Sequence, residues 1–242
     1  KFKFTPSGRV LFDGAVFAPD KGLKQSHTFA DGVALPDIRV GGKAEFGNWM
    51  AKIDIGYAFG KIGMKDVYIQ YSFDKGNLLR GGYFVHQYGL QSATSSSFKE
   101  TYEAPITDTY MNATGRNLGF MYLHYKDAWL ASASVIIGTS PTVRANELGK
   151  SSWGGISRVL WRPLREPGTI AQIGVSNWFQ SAMHNKTATG ITDYFNYSAT
   201  YPTRVDNVTL ISTNVSDARS VYKLSPEFMF ALDRFSLAGQ YY

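Results

Sequence analysis

Most of this chain is written in an alternation of period two. In residues 49–59, Trp49, Ala51, Ile53, Ile55, Tyr57 and Phe59 take the odd positions, with Met50, Lys52, Asp54, Gly56 and Ala58 between them. Successive side chains of an extended strand point to opposite faces. The pattern therefore predicts a strand that is apolar on one face and charged or small on the other. Comparable segments recur at 8–17, 37–46, 66–73, 78–85, 116–125, 128–137, 154–162, 169–179, 222–232 and 235–242, giving eleven predicted strands.

The connections between them sort by length. Gly47-Asn48, residues 74–77, Lys126-Asp127, residues 163–168 and Asp233-Arg234 are tight. They alternate with long connections at 18–35, 86–115, 138–153 and 180–221, with residues 60–63 the one short exception. Short turns at one end and long loops at the other characterise membrane-spanning antiparallel barrels. A Greek-key sandwich does not sort its connections by parity. The faces agree, because a charge facing hydrocarbon at mid-bilayer costs roughly 2–4 kcal/mol, so the charged face is expected to point inward. Aromatics at strand ends (Phe46, Trp49, Tyr57, Phe59, Tyr71, Phe73, Trp129, Trp161 and Trp178) fit interfacial girdles.

The expected fold is all-β, an antiparallel transmembrane β-barrel forming a single domain over residues 1–242. Single-chain bacterial barrels have even strand numbers, so roughly eleven strands suggest the N-terminal part of a longer barrel of about 16. Residues 86–115 lack helical periodicity and form the third loop. A loop that long usually has a function, and we expect it to fold inward as a constriction. Residues 180–221, dense in Thr, Asn and Ser, are expected to be a long extracellular loop.

Composition narrows the alternatives. Mean hydropathy is −0.20, and no apolar run approaches the ~20 residues of a membrane-crossing helix. The chain has no Cys, which excludes a disulfide framework and Cys-ligated zinc. The formal charge of +6 is scattered and resembles no nucleic-acid footprint. Four His residues show no metal-ligand spacing, and HExxH, GxSxG, GxGxxG and GxxxxGK[ST] are absent. No catalytic, metal or cofactor site is expected; His86 with Ser95–Ser97 on the third loop is a Ser/His combination from which a hydrolase could in principle be built.

Strand parity places Arg9, Arg39, Lys43, Lys52, Arg80, Arg158, Arg162 and Lys223 inward, together with Asp13, Asp37, Glu45, Asp54, Asp66 and Glu227. The candidate pore-lining set is Arg39, Lys43, Lys52, Arg80 and Arg158 with Asp54 and Asp66. Neighbouring opposite charges cancel a focused field, so this inventory implies at most a weak anion preference. Each basic residue is alternatively half of a salt bridge that stiffens the wall.

Several stretches carry a family resemblance: FTPSGRVLFDGAVF, WMAKIDIGYAFGKIGMKDVYIQY, GGYFVHQYGLQSATSSS, RNLGFMYL and PEFMFALDRFSLAGQYY. In these the chain resembles the phosphate-selective porin O and P family. Gly89-Leu90 followed by Thr94-Ser95-Ser96 is similar to that family's entry into its constriction loop, although Gln87-Tyr88 stand where the family usually has a Pro. With Lys99 and Arg116, Thr94, Ser95 and Ser96 are the candidate constriction residues. The resemblance implies passive diffusion of small hydrophilic solutes, anions or phosphate, through a bacterial cell outer membrane, with selectivity set by Arg and Lys along the pore. Implied partners are outer-membrane lipid, small anions, and a homotrimer or a complex with outer-membrane lipoproteins. Two alternatives are a plugged barrel acting as a scaffold subunit and a soluble glycan-binding β-sandwich.

Overall fold

The structure is a computed structural model that describes residues 1–22, 28–95, 105–111, 115–126, 128–138, 152–187, 190–201, 203–206 and 208–242. Its first nine strands are β1 (Phe2–Ala15), β2 (Gly32–Phe46), β3 (Trp49–Ala58), β4 (Lys61–Ser72), β5 (Asn77–Val85), β6 (Arg116–Lys126), β7 (Trp129–Ile137), β8 (Trp153–Glu166) and β9 (Thr169–Ser181). Three more, β10 (Met183–Thr187), β11 (Gly190–Thr200) and β12 (Thr209–Ser216), precede β13 (Ser220–Leu232) and β14 (Phe235–Gln240). Two short helical turns, α1 (Gly89–Ala93) and α2 (Ile106–Met111), lie between β5 and β6.

Eleven strands form one antiparallel sheet in the order β1-β2-β3-β4-β5-β6-β7-β8-β9-β13-β14. These are the eleven predicted strands, each paired with its neighbour in sequence apart from the insertion before β13. Among the described residues β1 and β14 do not pair, so the sheet is not a closed barrel. Tight turns join β2 to β3, β4 to β5 and β13 to β14 as expected, that between β8 and β9 is shorter than expected because β8 runs to Glu166, and Asp127 lies outside the described residues. The connection at Phe59-Gly60 has positive φ at both positions, 50° and 79°, the geometry that matches strand twist in a two-residue hairpin.

The distribution of side chains across the sheet is the reverse of that in a water-soluble sandwich. Val40 is 70% exposed, Ile62 78% and Ile69 57%, whereas Asp37 is 1%, Arg158 5% and Glu227 4% exposed. Each Val or Ile left in water forgoes about 1.5–3 kcal/mol of burial free energy. A face covered with such residues is suited to hydrocarbon as its solvent. Aromatics collect on this face near the strand ends: Trp49 meets Tyr71 edge-on at 4.9 Å, Tyr71 meets Phe73 at 5.1 Å, and Trp129 lies 6.2 Å from Trp161. At the other end Trp153 packs on Phe179 at 5.4 Å. Trp178 does not join them. It is buried on the polar side beside Ser176, because its even position in β9 opposes Ile173, Val175 and Phe179.

Several stretches differ from the sequence expectation: β1 begins at Phe2 and β2 at Gly32, earlier than predicted, and two helical turns lie in the third loop. Residues 180–221 carry a second, three-stranded sheet, β10-β11-β12. Their Thr, Tyr, Ile and Val suit strands, but Asn, Ser and Thr occupy both faces in the sequence and hide the period-two signal. Strand β4 begins at Lys61 and contains a bulge: Ile55 pairs with Met64 and Ile53 with Val67, so Lys65 and Asp66 together oppose Asp54. An extra residue of this kind re-aims side chains, and the apolar phase slips from Ile62 and Met64 to Val67 and Ile69.

Candidate functional site

The polar side of β1–β6 encloses a cavity of about 700 Å³. Its charged lining comprises Arg9, Arg39, Lys52, Arg80, Arg116 and Arg204 against Asp54 and Asp66. The positive excess is larger than strand parity alone suggested.

Three arrangements hold these charges. On β1 and β2, Asp37 accepts from Arg9 Nε at 3.0 Å and Arg39 Nε at 3.0 Å, with Arg9 and Arg39 both ion-paired to it. One carboxylate thus separates and orients two guanidiniums. A second network crosses the sheet: Lys52 Nζ lies 2.8 Å from Asp54 and 3.2 Å from Asp66, and Arg116 Nε donates to Asp66 at 2.8 Å. Ser7 Oγ donates to the other oxygen of Asp54 at 3.3 Å. The β4 bulge makes this possible by keeping Asp66 on the polar side, and it also lays the stem of Lys65 over Gly56.

Arg80 is held differently. It sits directly opposite Gln70 in the β4–β5 ladder, and its Nε and Nη2 both donate to Gln70 Oε1, at 3.2 and 2.8 Å. Its guanidinium lies 4.2 Å from the centroid of Tyr68 and 5.2 Å from that of Phe84. An amide and two ring faces orient a cation without neutralising it. Behind it, Phe84 stacks on His86 at 4.2 Å, and His86 Nε2 lies 3.2 Å from the Asn117 carbonyl. No serine meets His86 in these contacts, and no group of metal-ligating residues occurs among the described residues.

The segment after β5 is fastened to the polar side of β8, β9, β13 and β14. Arg158 donates from Nε and Nη2 to both oxygens of Glu227, at 3.0 and 2.6 Å, and from Nη1 to Gln87 Oε1 at 3.0 Å. Gly89 N donates to Ser176 Oγ at 2.9 Å, and Gln91 N to Gln240 Oε1 at 3.1 Å. Gly89 has a φ of 65°, and a Cβ there would collide with the Gln240 amide. Further on, Ser92 Oγ donates to Asp108 Oδ1 at 3.0 Å, and Tyr242 donates to the same oxygen. Lys223 donates to the Met111 carbonyl while its Nζ lies 4.8 Å from the Trp178 ring and 5.5 Å from that of Tyr197.

Of the candidate residues, Arg39, Lys52, Arg80, Asp54, Asp66, Thr94, Ser95 and Arg116 share the cavity. Lys43 lies apart, paired with Glu45 at 3.1 Å, and Arg158 is a buried loop anchor. Ser96 and Lys99 are outside the described residues. Sequence reasoning missed Lys65, whose inward position the phase slip in β4 signals, and Arg204, which the segment after β11 brings to the cavity. It also missed Tyr68 and Gln70 as the cradle of Arg80.

Outside the sheet, the end of β1 and the β1–β2 connection touch the segment after β11. The rings of Phe17, Phe29 and Tyr201 pack at 5.0–5.6 Å, and Ala30 N donates to Asp206 at 2.6 Å. The insertion before β13 therefore reaches the β1–β2 connection.

No curated protein matches the chain. The family model for phosphate-selective porin O and P matches residues 39–242. That match covers the wall from within β2 to β14, most of the charged cavity and the segment anchored beside it, but not β1 with Arg9. The chain belongs to the phosphate-selective porin O and P family, bacterial outer-membrane porins that act as channels and not as enzymes.

Proposed function

We propose that this chain forms the wall of a diffusion channel for small anions, narrowed by its third loop and made anion-preferring by the cations around Arg80. The observation that carries this reading is the holding of Arg80: its side-chain hydrogen bonds go to a neutral amide and its guanidinium lies over two aromatic rings, while the Asp66 carboxylate acts on it without a direct ion pair. Its charge faces a water-accessible cavity, where fixed cations raise the local concentration of anions. The six lining cations outnumber the two lining carboxylates, Asp54 and Asp66. Replacing Arg80 by Gln keeps a hydrogen-bonding side chain and removes one of the cations. The zero-current potential under a KCl gradient is then expected to fall toward zero. An unchanged potential would sink the role given to Arg80. For the loop, Thr94→Cys treated with a bulky water-soluble thiol reagent is expected to lower single-channel conductance. Full conductance after complete labelling contradicts a constriction there.

A second reading, a barrel capped by its β9–β13 insertion, draws support from the Phe17–Phe29–Tyr201 contact. It has its own test: folded protein that inserts into bilayers without conducting.

A further inference from the structure

The cavity carries more chemistry than an inorganic anion uses. Phosphate is satisfied by guanidinium and ammonium donors, and a carboxylate beside it repels it. Yet Asp54 and Asp66 line the same space as Arg80 and Arg116. Both carboxylates are ion-paired within the wall, Asp54 to Lys52 and Asp66 to Lys52 and Arg116, and each keeps lone pairs that accept hydrogen bonds from the hydroxyls of a solute. Tyr68 lines the same space with Arg80 over its ring, and its remaining aromatic surface suits a carbon skeleton. The space itself, about 700 Å³, falls within the range of cavities that enclose organic ligands.

Guanidiniums for one anionic group, carboxylates for hydroxyls and a ring for the carbon frame are the complement of an anionic monosaccharide. We propose that this cavity is built for such solutes, a sugar phosphate or a uronic acid, in preference to inorganic phosphate; the inference rests on the anion-channel reading above.

The test is solute block of single channels of the full-length porin in planar bilayers, titrating glucose 6-phosphate, glucuronate, orthophosphate and glucose in KCl. At least one anionic sugar is expected to half-block at a concentration about tenfold below that of orthophosphate, with glucose inert over the same range. The two sugars distinguish the phosphate from the carboxylate class. Orthophosphate blocking as well as either sugar overturns the inference and leaves the anion channel standing. Glucose blocking as well as the anionic sugars also overturns it, and so does absence of block by any anion, which leaves the anion channel to the KCl-gradient test above. Asp54→Asn and, separately, Tyr68→Leu are each expected to narrow the sugar-to-phosphate gap to below about threefold. A gap unchanged in both variants contradicts the assigned roles.

Discussion

Glu227→Gln tests how the third loop is held. The Arg158 and Glu227 side chains are 5% and 0% exposed and share two hydrogen bonds. Removing one partner of a buried pair costs about 3–5 kcal/mol, because the remaining charge is left desolvated. Gln87 still accepts from Arg158 in the variant, which puts the expected loss near the lower end, about 3 kcal/mol. At a urea m-value of about 3 kcal/mol/M the unfolding midpoint falls by roughly 1 M. The assay is equilibrium unfolding of the protein in detergent micelles or liposomes, followed by tryptophan fluorescence. Replacing both partners with apolar residues, Arg158→Met with Glu227→Leu, is expected to restore most of the loss. A single variant within about 0.5 kcal/mol of the parent, the range of ordinary surface changes, would refute the claim that this pair anchors the loop.

Three further outcomes are expected. Gly89→Ala places a Cβ against Gln240 at a left-handed backbone position, costs about 1–3 kcal/mol, and changes single-channel conductance by displacing α1. Ile69→Arg puts a charge on the apolar face and costs about 2–4 kcal/mol near mid-bilayer, read by urea titration in liposomes. At the exposed β4–β5 turn, the Gly76 N–H and the Asn77 amide hold the Asp74 carboxyl below its ordinary range. A depressed carboxyl contributes stability above the unfolded value of about 4 and loses it as pH falls through its lower folded value. The midpoint difference between the parent and Asp74→Ala should therefore shrink on acidification below pH ~4.

How far the sequence discloses this architecture depends on the range of the interactions. The wall was legible because alternation is local: Ile53, Ile55 and Tyr57 declare their face within one strand. Arg39, Lys52 and Arg80 were legible for the same reason. Trp178 departs from the girdle because its even position in β9 turns it to the polar side, whatever its aromatic character suggests. The bulge at Lys65 and Asp66 was visible only as a phase slip. The loop anchors were beyond reach, since Gln91 with Gln240 and Asp108 with Tyr242 join residues more than a hundred positions apart. Arg204 belongs with them, as its place depends on how the insertion before β13 folds back.

The most direct measurement is the current through single copies of the protein in a planar bilayer under a KCl gradient. The account expects stable open steps and a zero-current potential displaced toward that of chloride. Folded protein that inserts without conducting, or a potential displaced toward that of potassium, would contradict it.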